Sequence, residues 1–259
     1  VHNSTLSGNS ATNWGGAISG YMSAVKVEAS TISGNWATER GGGIQCECAL
    51  TVQDSYLSGN SANRGGAIDQ RGGLIVQNST LSGNSANSNG GGIFSQHGIV
   101  NVQNSTLSGN SAGNNGGGLH NGPTSVTYYP LITTIENSTL SGNLAGNTGG
   151  GIFSFFTSTL SLQNSTLSTN AAVEGGGIFN YYGTLSVQNS TLSSNSALHG
   201  GGIHDAGAQA IVQSSIVALQ LAGGDCSSSV GSNGYNIESG TSCGFTEASS
   251  QQNVSSAQL

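Results

Sequence analysis

The chain has 259 residues, of which only 4 are Lys or Arg and 11 are Asp or Glu, giving a formal net charge of −7. That balance excludes a nucleic-acid binder, whose phosphate partner needs a basic footprint, and it argues equally against docking on an anionic membrane surface. No apolar run approaches the ~20 residues of a spanning helix.

One phrase recurs from end to end: Gly-Gly-x-Ile, an alternating apolar pair, Asn-Ser-Thr-Leu-Ser, then Gly-Asn-x-Ala. The apolar residue of Ser-Thr-Leu-Ser falls at Leu6, Ile32, Leu57, Leu81, Leu107, Leu140, Leu167, Leu192 and Ile216, in steps of 24 to 27 residues with one of 33. Two further sets keep the same register, Ile18 to Ile203 after the glycines and Val27 to Val212 before the asparagines. Apolar residues in phase separate this chain from a flexible Gly/Ser-rich tract. The period-two alternation predicts three short strands per unit and no helix. A single strand cannot bury its face alone, so units stack, and like strands lie side by side around a common core. The fold class read from this pattern is an all-β parallel β-helix of about nine rungs of ~25 residues, closed by a C-terminal cap. Residues 1–221 form the repeats and 222–259 the cap and tail of the same domain.

The corners carry the residues that bends require. Asn3, Asp54, Asn78, Asn104, Asn137, Asn164 and Asn189 sit at the tightest one, where the left-handed backbone favours Asn and Asp. Six of these begin Asn-Ser-Thr sequons, read as structural, which leaves Asn253 as the freer glycosylation candidate. The second corner, Gly8-Asn9 and its copies, is read as another positive-φ turn. One rung is longer: residues 121–131 hold both prolines, Pro123 and Pro130, with Tyr128 and Tyr129, and are expected as a surface loop.

The four cysteines form two unlike pairs. Cys226 and Cys243 flank a polar loop beyond the last regular repeat, where a disulfide would staple the end of the stack in an oxidising compartment. Cys46 and Cys48 share one side of a strand with too few neighbouring ligands for zinc, and are expected as two buried free thiols. No metal or cofactor is expected. The chain opens at Val1 in mid-repeat with Met22 as its one methionine, as a processed or excised piece of something longer would.

Gly-Gly-Ala-Ile at 15–18 and 65–68, with Leu-Ser-Gly-Asn at 6–9, 81–84 and 107–110, resembles the paired motifs of polymorphic outer-membrane-protein repeats, Leu standing where the family has Phe. The Gly-Gly-Asp-Cys…Gly-Tyr-Asn…Ser-Cys-Gly segment at 223–244 is similar to one that follows the repeats in large secreted bacterial β-helix proteins. The resemblance covers roughly 1–246. It implies a right-handed helix and a cell-surface or extracellular setting, and no reaction. The membrane barrel that completes the outer-membrane family has no counterpart in these residues.

Candidate sites lie on the strand after Gly-Gly-x-Ile, at the first and third positions past the core Ile. Glu47, Asp69 and Arg71 from adjacent rungs form a candidate carboxylate pair with a cation, as a polysaccharide lyase or hydrolase would use. Further along, Phe94, Phe153, Phe155, Phe179 and Tyr181, joined by Phe156 and Tyr182, read as an exposed contact surface, or as a face covered by the Tyr128–Tyr129 loop. The outward Thr-x-Ser pairs, such as Thr80/Ser82 and Thr106/Ser108, look like the ranks of β-helical ice-binding proteins, and Thr is also simply a good strand residue. The leading expectation is a non-enzymatic extracellular structural or adhesive rod. Its partners would be carbohydrate, a cell surface, or its own copies head to tail in a fibre.

Overall fold

The computed structural model describes residues 1–122, 131–207 and 209–255. Every regular element among them is a β-strand, paired in parallel with its equivalents one turn before and one turn after. The Thr-Leu-Ser strands form a sheet of ten, from Thr5–Ser7 to Ile237–Glu238. The strands bearing Val27 and its copies form a sheet of nine, and those after Gly-Gly-x-Ile a sheet of eight, from Ile18–Tyr21 to Ile203–Ala206. The architecture is the expected parallel β-solenoid, with about eight full turns.

Register follows the sequence period. Leu81 pairs with Leu107, Leu107 with Leu140, Leu140 with Leu167 and Leu167 with Leu192, all fully buried. The last step differs from expectation. Thr191 pairs with Ile216 and Leu192 with Val217, so Val217, not Ile216, enters the core. Counted from Val212, the step is then 5, as in every other turn.

Two features escape the three-strand reading. A fourth ribbon of two-residue strands, Ser10–Ala11 to Leu144–Ala145, crosses between the Thr-Leu-Ser sheet and the glycine run. Its alanines are inside, and there is no room for more. A Cβ on Gly42 would lie 2.4 Å from backbone atoms of both Gly66 and Ser61. The other feature is the second corner. Gly34 takes the positive φ (61°), while Asn35 beside it points inward and is buried.

These inward amides form a ladder through the rod. Each Asn donates its amide N–H to the next turn's Asn Oδ1 at 2.9–3.0 Å, along Asn9, Asn35, Asn60, Asn84, Asn110, Asn143, Asn170 and Asn195. From Asn35 on, the second amide N–H satisfies a Leu or Ile carbonyl of the previous turn. A second ladder runs through the serines of Asn-Ser-Thr. Ser79, for example, donates its backbone N–H to Ser105 Oγ, whose hydroxyl turns back to Gln103 O. The sequon Asn itself stays at the exposed left-handed corner, with φ 47–50° at Asn3, Asn78, Asn104, Asn137, Asn164 and Asn189. The buried amides and hydroxyls of the two ladders are tolerated because each has its partner.

Residues 222–255 add a degenerate turn that pairs onto the last regular one. The Cys226–Cys243 disulfide is present, with Cα atoms 4.9 Å apart. Gln220 terminates the Asn ladder: its Oε1 accepts both N–H groups of Asn195, and its own NH2 returns to Leu192 O and Ala218 O. Asn236 stands in for a serine in the other ladder: its Oδ1 accepts the Ser215 N–H, its own N–H passes on to Ser250 Oγ, and its NH2 returns to Val212 O and Ser232 Oγ. Glu238, fully buried below Val217, accepts from the Cys243 and Phe245 backbone and from Gln252.

The other cysteines correct the sequence reading. Cys46 and Cys48 are joined to each other, and no free cysteine stands among the described residues. Side chains two apart on a strand share a face, and the bend that ends the strand at Glu47 draws the two Cα atoms to 5.1 Å, within disulfide range.

Candidate functional site

The outer face of the sheet of eight carries two ranks. The first holds Ser19, Gln45, Asp69, Phe94, His120, Phe153, Phe179 and His204, each paired with its neighbour. Five of these form one column of stacked rings, with centroids 4.6 Å apart from Phe94 to His120, then 4.7, 5.7 and 4.7 Å to His204. Contrary to the expectation of an exposed row, Phe94, Phe153 and Phe179 are buried, as is His120.

The turn before each strand explains the cover near Phe94. Gly65 adopts φ 65°, and a Cβ there would strike Ile68 O at 2.5 Å, so the chain doubles back over its own strand. Arg64, the residue before that glycine, therefore lies across the first rank. Its Nε donates to Asp69 Oδ2 at 2.6 Å, its Nη2 to Oδ1 at 3.4 Å, and its guanidinium sits 4.2 Å over Phe94. Burial raises the Asp69 carboxyl above the usual range, against the pull of Arg64. Burial and the Arg64 charge together hold His120 down at about 3, and its Nδ1 has no partner.

The expected trio of Glu47, Asp69 and Arg71 is thus divided. Arg71 Nη1 donates to Glu47 Oε1 at 3.0 Å, with Arg40 a further 0.8 Å out at 3.8 Å. Asp69 belongs to Arg64 instead and is closed off from solvent. Sequence reasoning missed Arg40 and Arg64. The signal was present: Trp14, Arg40, Arg64, Asn89, Asn115, Thr148, Glu174 and His199 each immediately precede the glycine run, and that is the position the turn folds over the face.

The second rank stays open at its far end. Phe155 stacks on Tyr181 at 5.5 Å, Phe156 packs edge-on to Tyr182 at 6.1 Å, and Tyr181 and Tyr182 meet perpendicular at 4.8 Å. These four rings form a ledge on two adjacent turns, with Tyr182 53 % exposed. Tyr128 and Tyr129 lie outside the described residues. Asn253 is exposed at φ 57°. On the sheet of ten, Thr80, Thr106, Thr139, Thr166 and Thr191 stand in one unbroken rank, and Tyr56 interrupts it. Among the described residues no helix is long and apolar enough to cross a membrane.

A family model described as the Chlamydia polymorphic membrane protein repeat matches residues 3–21, 29–47 and 78–96. Each matched segment runs from the Thr-Leu-Ser strand, or the corner before it, through the ladder Asn to the Gly-Gly-x-Ile strand. The chain is a β-helix repeat protein that resembles the polymorphic outer-membrane proteins. No curated protein and no solved structure matches it.

Proposed function

We propose that this chain is a rigid, non-enzymatic adhesive rod of a bacterial surface, and that the ledge of Phe155, Phe156, Tyr181 and Tyr182 is where it grips carbohydrate. The ledge carries the reading. The phenylalanines of the first rank, Phe94, Phe153 and Phe179, are packed away, whereas these four brace one another, with Phe155 and Phe156 half-buried and Tyr181 and Tyr182 open to solvent. Flat, pre-oriented rings offer apolar area to sugar C–H faces at low entropic cost. The repeat type supports the surface setting.

Two alternatives weigh less. Polysaccharide cleavage at Glu47, Asp69 and Arg71 would need a carboxylate able to meet substrate, and both are engaged by guanidinium groups. Head-to-tail stacking into a fibre would need open ladder ends, and at the C-terminal side Gln220 and Asn236 use their own donors on their own chain. A single rod is the better reading, and sedimentation of the purified chain at high concentration tests it. Binding to a panel of immobilised neutral oligosaccharides tests the ledge. Retention that falls on Tyr181→Ala/Tyr182→Ala, with far-UV spectra unchanged, supports it. Equal retention by parent and double variant, or none by either, removes it.

A further inference from the structure

Both tryptophans of the chain are on the first two turns, and three of its four cationic side chains follow in the next stretch. Trp14, Arg40 and Arg64 pair in parallel on consecutive turns, and Trp36 precedes Arg40 on the same turn. A depression of about 320 Å³ opens there, lined by Glu39, Arg40, Asn63 and Arg64. That volume suits one or two sugar residues.

The charges around it are unevenly matched. Arg64 is committed to Asp69 by two hydrogen bonds, and Arg71 to Glu47 at 3.0 Å. Arg40 reaches the same Glu47 oxygen only at 3.8 Å and rests 5.4 Å over the Trp14 ring. Glu39 makes no ion pair with Arg40; its Oε2 accepts the Trp14 indole N–H at 2.9 Å. Arg40 is therefore the cation of the cluster with no close carboxylate of its own, beside a like charge one turn away. Partial burial, then Arg64 and Arg71, push its pKa down, so a bound anion would relieve an existing cost. Both indoles remain open, Trp14 at 44 % and Trp36 at 48 %.

We propose that this corner binds a uronic-acid residue of an acidic glycan. Arg40 takes the sugar carboxylate, Asn63 and Glu39 meet hydroxyls, and the Trp14 indole, in contact with Arg40 and Glu39, supplies the apolar face for the pyranose ring. The site is independent of the aromatic ledge, which lies several turns away along the rod.

Because Trp14 and Trp36 are the only tryptophans, intrinsic fluorescence reports the first two turns, where this corner lies. Titration of the purified chain with trigalacturonate is expected to give a saturable change that weakens as salt is added. Arg40→Gln should raise the dissociation constant about tenfold or more, and Arg40→Lys, which keeps the charge and loses the planar fork, by less. Tyr181→Ala/Tyr182→Ala should leave the titration unchanged, which separates this site from the ledge. Should Arg40→Gln fail to fold by far-UV spectra, Arg40→Lys carries the comparison. The proposal is overturned by an absent or unsaturable change in the parent, by equal binding of a neutral trisaccharide, or by variants at Arg40 that bind as the parent does.

Discussion

His120→Phe is expected to make the rod more resistant to acid. The parent imidazole sits in the ring column between Phe94 and Phe153, 4.6 and 4.7 Å away, fully enclosed and near Arg64. Its pKa drops from the ordinary 6.5 to about 3 in the folded chain. A depressed folded value means that the unfolded chain takes up a proton that the folded chain refuses. The contribution is thus fully present above pH 6.5 and lost as pH falls towards 3, in total roughly 5 kcal/mol. At pH 4 roughly 3 kcal/mol of it is gone, and Phe, which stacks without titrating, loses none. Denaturant unfolding followed by far-UV circular dichroism at pH 7, 5.5 and 4 reads the effect. The larger Phe ring costs some stability at every pH through overpacking, so the quantity to follow is the gap between variant and parent, which should move in favour of the variant as pH falls. A gap that stays constant over that range would refute the argument, because it would mean that the imidazole charges in place.

Asn110→Ala should destabilise by about 3 kcal/mol or more, since it leaves the Asn84 backbone N–H and one Asn84 amide N–H without their acceptor and takes a donor from Leu81 O; thermal melting checks it. Asn104→Ala, at the exposed left-handed corner with φ 49°, should cost only about 1–2 kcal/mol by the same measurement. Glu238→Gln replaces one accepting oxygen by an NH2 that faces either the Cys243 N–H or those of Phe245 and Gln252, and should open the C-terminal turn first, seen as early amide exchange in residues 236–254. Replacing Cys226 and Cys243 by Ser removes a loop closed over a separation of 17 residues and should cost about 3 kcal/mol in denaturant unfolding.

What the sequence disclosed and what it hid follow one physical division. Core strands are legible because apolar residues at period two have a single solution, burial against the next turn, and every one from Leu6 to Leu192 fell in register. The left-handed corner was legible because Asn and Asp are the side chains that tolerate it. Asn35 and its copies were not, because the same residue type serves a bend and a buried ladder, and only the partner one turn away distinguishes them. Ile216 misled for a related reason: an Ile beside a Val offers two apolar candidates, and pairing with Thr191 chose the second. The outward face was hardest. Alternation told which way Asp69 and Phe94 point, but not that the glycine turn lays Arg64 over them.

The ladders also bear on why so uncharged a protein can serve as a rod. Parallel strands of three or four residues bury little apolar area each, and the four cationic side chains leave few ion pairs to add. The Asn and Ser columns replace that deficit with hydrogen bonds that cross every turn boundary inside the wall, where water does not compete. Each amide is both donor and acceptor to its neighbours, so one turn cannot tilt away without breaking bonds on two sides. Stiffness then comes from the interior and leaves the outer ranks free to vary. Position after Ile can hold Asp69 with its Arg64, a ring such as Phe153, or a small Ser19, without disturbing the stack beneath. A scaffold so decoupled from its surface is suited to presenting different contacts at different heights, charged near Arg40 and aromatic near Tyr181.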